Sequence, residues 1–161
     1  MTGGPHRPRL PLRHELLLAL LPSITVLLVL AFVEAVARQR LLFASLASSA
    51  FLIYLDPGHR TNSMRTLVFA QIGSALVGLG CFLLLGPGYP AAGVAMATAI
   101  LAMVVTDSMH PPAVSTALSF GLRAGDESNV VLFGMAVGLT AVLVLLQRSA
   151  QWMITRYVKR E

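Results

Sequence analysis

The chain has 161 residues, of which 56% are hydrophobic and only 12% are charged, and its formal net charge is +5. A soluble domain of this length cannot bury so much apolar surface, because its interior is small relative to its surface. The apolar runs are continuous, which argues against a transmembrane β-barrel. The basic residues flank these runs instead of forming a folded face with aromatic side chains, so we expect no nucleic-acid partner. We therefore predict an all-α polytopic membrane protein.

The predicted elements begin with a basic N-terminal segment, residues 1–14, which we expect to be cytoplasmic and retained. A transmembrane domain follows at residues 15–147, and a basic interfacial tail occupies residues 148–161. A helix needs about 20 apolar residues to cross a bilayer. Four runs in the domain approach or exceed this length and are predicted to be full-length transmembrane helices: residues 15–37, 64–86, 91–109 and 130–146.

Two shorter apolar stretches, residues 41–55 and Ala113–Leu122, are either re-entrant or crossing. Both ends of the chain are basic, so the positive-inside tendency places both termini in the cytoplasm and requires an even number of crossings. Four and six crossings both remain open. Six would give two halves of opposite orientation, as in the inverted repeats of many transporters. No organelle-targeting segment is evident, so we expect the inner membrane of a bacterium.

The first short stretch contains Ser45, Ser48 and Ser49, separated or flanked by alanines. Small hydroxylated residues in a membrane helix either line a polar pathway or allow close helix packing. The sequence does not choose between these two roles.

The strongest local signal is a polar interruption, Thr-Asp-Ser-Met-His-Pro-Pro, that separates the apolar runs before and after it. Pro111 disfavours a helical conformation at His110, and proline is well tolerated in the first turn of a helix. We therefore predict that one helix ends near His110 and a new one begins at Pro111-Pro112. The first turn of the new helix would present unpaired N–H groups and the hydroxyls of Ser115 and Thr116, which is a favourable site for a small anion.

Asp107 and His110 lie three residues apart, so we expect them to share one face of the helix that precedes the break. Ionisable residues at membrane depth are costly and usually mark a pathway. In this interpretation Asp107 orients His110, and His110 supplies a switchable charge or a proton, because the pKa of histidine lies near physiological pH.

The stretch His110-Pro111-Pro112, followed by Ala-Val-Ser-Thr-Ala-Leu, resembles the signature of the HPP family of integral membrane proteins. Two further segments, beginning at Arg65 and at Phe43, are similar to other stretches of that family, so the resemblance covers most of the chain. It implies about four membrane-spanning helices and, because some members are linked to nitrite transport, the transport of a small anion. It also implies site roles for Arg65 and for Gln71, which stands where the family has histidine.

We accordingly predict a nitrite-like small-anion transporter or channel that acts as a homo-oligomer in the lipid bilayer. Two alternatives remain open: a non-transporting structural or partner-binding membrane module, and a cation or proton carrier that uses Asp107 and Asp56. We expect no enzymatic activity, cofactor or metal centre, because no convincing nucleophile–base pair and no HExxH or cysteine ligand set is recognisable. The predicted substrate-binding residues are His110, Pro111, Pro112, Ser115, Thr116, Asp107, Arg65 and Gln71.

Overall fold

The computed structural model describes residues 40–122 and 128–158, together with the single positions Leu20 and Ile24. Apart from those two positions, the predicted N-terminal segment and the first long run lie outside the described residues. The described part is all-α and contains no strand, which confirms the all-α part of the predicted fold class. Its helices are α1 (Arg40–Leu55), α2 (Met64–Leu85), α3 (Tyr89–Val105), α4 (Ala113–Leu122) and α5 (Asn129–Val158), with a short 3₁₀ turn at Arg60–Asn62.

Local capping explains where α2 begins and ends. Ser63 precedes the helix, and its hydroxyl accepts the N–H of Thr66 at 3.2 Å, which satisfies one of the free donors of the first turn. Gly86 follows the helix with a φ of 74°, a conformation that glycine adopts without steric cost. The predicted boundaries, residues 64–86, therefore agree with the structure within one residue.

The end of α3 differs from the prediction, because the helix stops at Val105 and does not reach His110. Asp107 adopts a left-handed conformation with a φ of 51°. The N–H of Ser108 then donates to the carbonyl of Met103 at 3.0 Å, and the N–H of Asp107 donates to the carbonyl of Val104 at 3.3 Å. These two bonds form a Schellman motif, which ends a helix by satisfying its last carbonyls. Asp107 and His110 therefore do not share a helical face.

The helix predicted after the two prolines is confirmed, and its observed bounds are Ala113–Leu122. Pro111 and Pro112 form the turn that precedes it, as their fixed φ and missing N–H groups favour. The break at His-Pro-Pro is therefore real, although the preceding helix has already ended several residues earlier.

The five described helices run in alternating directions. We call the end that holds residues 56–63 and 106–112 the link end. Gln151 of α5 donates to the carbonyl of Pro57 at 3.1 Å, so the second half of α5 lies at the link end. Gly88 donates to the carbonyl of Gly121 at 3.0 Å, so α4 ends at the opposite end, beside the start of α3. Both short stretches therefore traverse the bundle, and neither turns back within it.

Two of the described helices are long and apolar enough to cross a membrane, Met64–Leu85 and the segment Asn129–Arg156 of α5. The prediction of four full-length transmembrane helices is therefore supported only in part. α3 has 17 residues, and the first long run lies outside the described residues. α5 continues for 30 residues, so the predicted tail begins as part of this helix.

Close backbone contacts hold α4 between α2 and α3. A Cβ atom placed on Gly78 of α2 would lie 2.6 Å from the carbonyl oxygen of Ala117. A Cβ atom placed on Gly121 of α4 would lie 2.6 Å from the Cα atom of Ala92 in α3. Glycine is required at both positions because any side chain would collide with a backbone. This packing fixes α4 next to the polar side chains of α1 and α2.

Candidate functional site

Five polar side chains meet inside the bundle, and each of them is 0% exposed. They come from three helices and from the link before α4. We call this cluster the polar seam, and its members are Ser45 and Ser49 of α1, Gln71 of α2, His110 of the link and Thr116 of α4.

A continuous chain of hydrogen bonds connects the polar seam. The hydroxyl of Thr116 donates to Oε1 of Gln71 at 2.7 Å. Nε2 of Gln71 donates to Oγ of Ser45 at 3.0 Å and lies 3.4 Å from Oγ of Ser49. Ser49 and Nε2 of His110 are 2.8 Å apart. In a bilayer, every buried polar group must find a partner within the protein, and here the partners are mainly one another.

His110 is held by both of its ring nitrogens. Nδ1 lies 3.0 Å from the carbonyl oxygen of Thr61, which can only accept, so Nδ1 carries the proton and donates. Nε2 then accepts the hydroxyl proton of Ser49. The neutral imidazole satisfies both bonds, and an imidazolium could also satisfy them by donating from Nε2 to the oxygen of Ser49. His110 is 0% exposed, and burial disfavours the charged form. Burial therefore favours a neutral histidine and does not support the predicted switchable charge.

Asp107 does not orient His110, contrary to the prediction. Its carboxylate forms a salt bridge with the guanidinium of Arg60, and the two side chains are 63% and 74% exposed. Asp56 is also exposed, and its Oδ1 accepts the N–H of Gly58 at 3.0 Å as part of a turn. Both aspartates thus lie on the surface of the link end, outside the polar seam, which weakens the interpretation of a cation carrier that uses them.

The N-terminus of α4 also differs from the anion site predicted there. The N–H groups of Ala113, Val114 and Ser115 already donate to the carbonyls of the three preceding residues, at 2.9 to 3.1 Å. An anion at this position would have to break these bonds. Thr116 contributes to the candidate site through its side chain, which points into the polar seam, and not through a free helix end.

The remaining predicted residues are divided between the site and its surroundings. Gln71 lies at the centre of the polar seam. Arg65 is exposed, and its guanidinium lies 5.8 Å from the ring centre of Phe69, away from the seam. Pro112 is buried and Pro111 is exposed, and both act by forming the turn that precedes α4.

Two buried oxygen atoms have no hydrogen-bond partner among the described residues, Oδ1 of Asn62 and Oγ of Ser74. Asn62 directly follows Thr61 at the link end of the bundle, and Ser74 lies one helical turn beyond Gln71 in α2. Asn62 and Thr61 were not predicted from the sequence, because nothing in the local pattern distinguishes them from ordinary loop residues.

Among the described residues, no group of three or more histidine, cysteine, aspartate or glutamate side chains could hold a metal ion. His59 lies at the link end but bonds to Thr61, with 2.8 Å between Nδ1 and the hydroxyl oxygen. The candidate site is thus built from neutral hydroxyl, amide and imidazole groups.

Comparisons with known proteins support a membrane protein. A family model described as "HPP, transmembrane region" matches residues 8–158. A transmembrane protein of Dictyostelium discoideum is 34% identical over 125 residues, which covers 73% of this chain and 44% of the relative. The chain therefore spans less than half the length of that relative. No solved structure matches the chain.

Proposed function

The chain belongs to the HPP transmembrane family and is an integral membrane protein, and on that premise we propose that it transports a small inorganic anion, such as nitrite, through the polar seam. The observation that carries this proposal is the continuous set of hydrogen bonds from Thr61 at the link end to Thr116 inside the bundle. Polar side chains are costly in an apolar helix bundle, and they commonly mark the path of a substrate.

The chemistry of the polar seam suits a small oxyanion. Its hydroxyl and amide groups can donate hydrogen bonds, and among the described residues it contains no carboxylate that would repel negative charge. In the proposed mechanism the ion binds to Gln71, Thr116 and the two serines of α1, in place of the bonds that these groups make with one another. This replaces the helix N-terminus as the expected binding position.

The distribution of basic residues supports a cytoplasmic orientation of the link end. Among the residues that the structure describes, four arginines lie toward the link end, namely Arg60, Arg65, Arg148 and Arg156, and Arg40 at the start of α1 lies at the opposite end. Cytoplasmic flanks of membrane proteins carry an excess of Lys and Arg. We further propose that both termini are cytoplasmic, that the membrane is a bacterial inner membrane, that the protein forms a homo-oligomer and that it has no enzymatic activity.

A second candidate function is a structural or partner-binding membrane module that transports nothing. It is favoured by the saturation of the polar seam, because fully paired polar networks also stabilise helix packing and specify a unique core. Transport and a purely structural role therefore predict the same contacts but different responses to a change inside the seam.

The test is anion flux into proteoliposomes, with nitrite, formate, nitrate and chloride as substrates. Thr116→Val removes one hydroxyl from the polar seam with little change in shape. Thr140→Val is the matched control, because Thr140 is also buried but its hydroxyl donates to the carbonyl of Ala136 within α5, at 2.8 Å. Size-exclusion chromatography and helical circular dichroism verify that both variants are folded.

We expect saturable flux of at least one anion in the wild type, a loss of tenfold or more in Thr116→Val, and little change in Thr140→Val. Equal flux in the two variants would disconnect transport from the polar seam. Absence of flux above empty liposomes for all four anions would refute the transport proposal and leave the structural module.

A further inference from the structure

We infer that the polar seam takes its solute together with a proton, as the neutral form of a small weak acid, so that transport is electroneutral. This inference rests on the proposed function and narrows its substrate class to anions of weak acids, such as nitrite and formate. Anions of strong acids, such as chloride and nitrate, have no accessible neutral form in water and are expected to be excluded.

The first observation is that the polar seam holds no fixed charge. Its members are hydroxyl groups, one amide and one imidazole that is 0% exposed, and such burial disfavours the charged form of the ring. Moving a bare ion from water into an apolar interior is very unfavourable unless opposite charges compensate it. A neutral acid avoids most of this cost.

The charged groups nearest to the seam do not supply that compensation. Arg60 and Asp107 neutralise each other at the surface of the link end. Within the described residues, the other titratable side chains on the elements around His110 also lie outside the seam, and α4 has none. They are Tyr54 on α1, Asp56 and His59 on the first link, Arg65 and Cys81 on α2, and Tyr89 on α3.

The second observation is independent and concerns Asn62, which is 2% exposed. Its Nδ2 donates to the carbonyls of Leu52 and Asp56, at 2.8 and 2.7 Å. Because both partners can only accept, the orientation of the amide is fixed. Oδ1 is therefore a buried acceptor, and it has no partner among the described residues. It can bind a group that carries a proton, and it repels a bare anion.

Asn62 belongs to the link end and directly follows Thr61 in the chain, so in this proposal its Oδ1 is the first acceptor that a solute from the link end meets. The neighbouring Thr61 carbonyl holds His110, which begins the hydrogen-bond chain to Gln71. Oγ of Ser74, the other unpaired buried oxygen, lies one turn beyond Gln71 and can both donate and accept. A weak acid such as nitrous or formic acid has one O–H donor and additional acceptor oxygens. It can therefore donate to Asn62 and accept from the hydroxyl and amide groups of the seam.

The proton balance is simple. The anion takes one proton from water at the entrance, crosses as the neutral acid, and releases the same proton to water on the other side. One anion and one proton therefore cross together, no net charge moves, and no side chain of the seam changes its charge.

The experiment measures anion uptake and internal pH in wild-type proteoliposomes that contain a trapped pH-sensitive dye. Potassium gradients with valinomycin set the membrane potential. Nitrite, formate, chloride and nitrate are compared, and uptake by empty liposomes is subtracted to remove passive permeation of the acids. Thr116→Val proteoliposomes provide a second background. A potential of 100 mV shifts the equilibrium distribution of one charge about 50-fold, so electrogenic transport is readily distinguished.

We expect uptake of nitrite or formate with about one proton per anion, and no uptake of chloride or nitrate. The uptake of nitrite or formate should change less than about twofold between membrane potentials of 0 and 100 mV. Anion uptake that follows the potential without proton movement, or uptake of chloride or nitrate, would overturn this inference while leaving anion transport in place. No uptake of any anion above empty liposomes would refute the proposed function and this inference together.

Discussion

Replacing Gly78 by alanine tests how tightly α4 is held against α2. The new methyl group would lie 2.6 Å from the carbonyl oxygen of Ala117 and 2.8 Å from Cβ of Phe120. Ordinary contact begins at 3.4 Å, so α2 and α4 must separate locally by about 0.8 Å. Both obstacles belong to, or are attached directly to, the backbone of α4, and a change of rotamer cannot relieve them. Such overpacking typically costs about 1–3 kcal/mol.

The matched control is Gly73→Ala on the same helix, where a Cβ atom has no neighbour within 4 Å. Both substitutions gain about 1 kcal/mol of helix propensity, so the difference between the two variants isolates the cost of packing. We expect Gly78→Ala to have a free energy of unfolding about 1–3 kcal/mol below that of Gly73→Ala. Titration with SDS in mixed micelles, followed by helical circular dichroism, measures it. Equal stability of the two variants would refute the close contact between α2 and α4.

Three further predictions concern the link end and the orientation of the bundle. Asp107→Asn removes an exposed salt bridge and keeps a residue that tolerates a left-handed conformation, so we expect a loss below about 1 kcal/mol in the same titration; a larger loss would make the pair a structural anchor. His110→Ala leaves the Ser49 hydroxyl and a carbonyl unpaired and opens a cavity, so we expect a loss of about 3–5 kcal/mol, and a loss under 1 kcal/mol would contradict its buried bonds. The orientation is tested in a Cys81→Ser background with an impermeant maleimide added outside intact cells. The reagent should label Tyr89→Cys at the opposite end and should not label Thr155→Cys near the C-terminus of α5. The reverse pattern would invert the proposed orientation.

The break and the helix after it could be predicted because proline acts locally. Pro111 restricts the residue before it and suits the first turn of a helix, so the observed start at Ala113 follows from the sequence itself. The end of α3 could not be predicted in the same way. Its left-handed cap residue is Asp107, whereas the usual signal at this position is glycine, and the proline signal lies several residues downstream.

The partners within the polar seam could not be predicted, because the helices are apolar on nearly every side. A helix in a soluble protein shows its buried face as a stripe of apolar residues, but lipid-facing and core-facing positions in a membrane are equally apolar. Nothing in the sequence therefore indicates that Gln71 meets Thr116, 45 positions away, or that Ser49 meets His110, 61 positions away. Only the tertiary packing, fixed by glycines such as Gly78 and Gly121, brings them together.

Two polar links interrupt the apolar chain: residues 56–63 precede α2, and residues 106–112 follow α3. They meet at the link end. The salt bridge between Arg60 and Asp107 joins their surfaces, and the bond from His110 to the Thr61 carbonyl joins their interior. The five members of the seam that starts there are saturated, so a solute can bind to them only by replacing hydrogen bonds that the protein already makes with itself. A solute that offers only acceptors cannot replace all of them, since Gln71 and His110 each use both a donor and an acceptor. Under the proposed function, the saturation that stabilises the bundle would therefore also select for a small solute that carries its own proton.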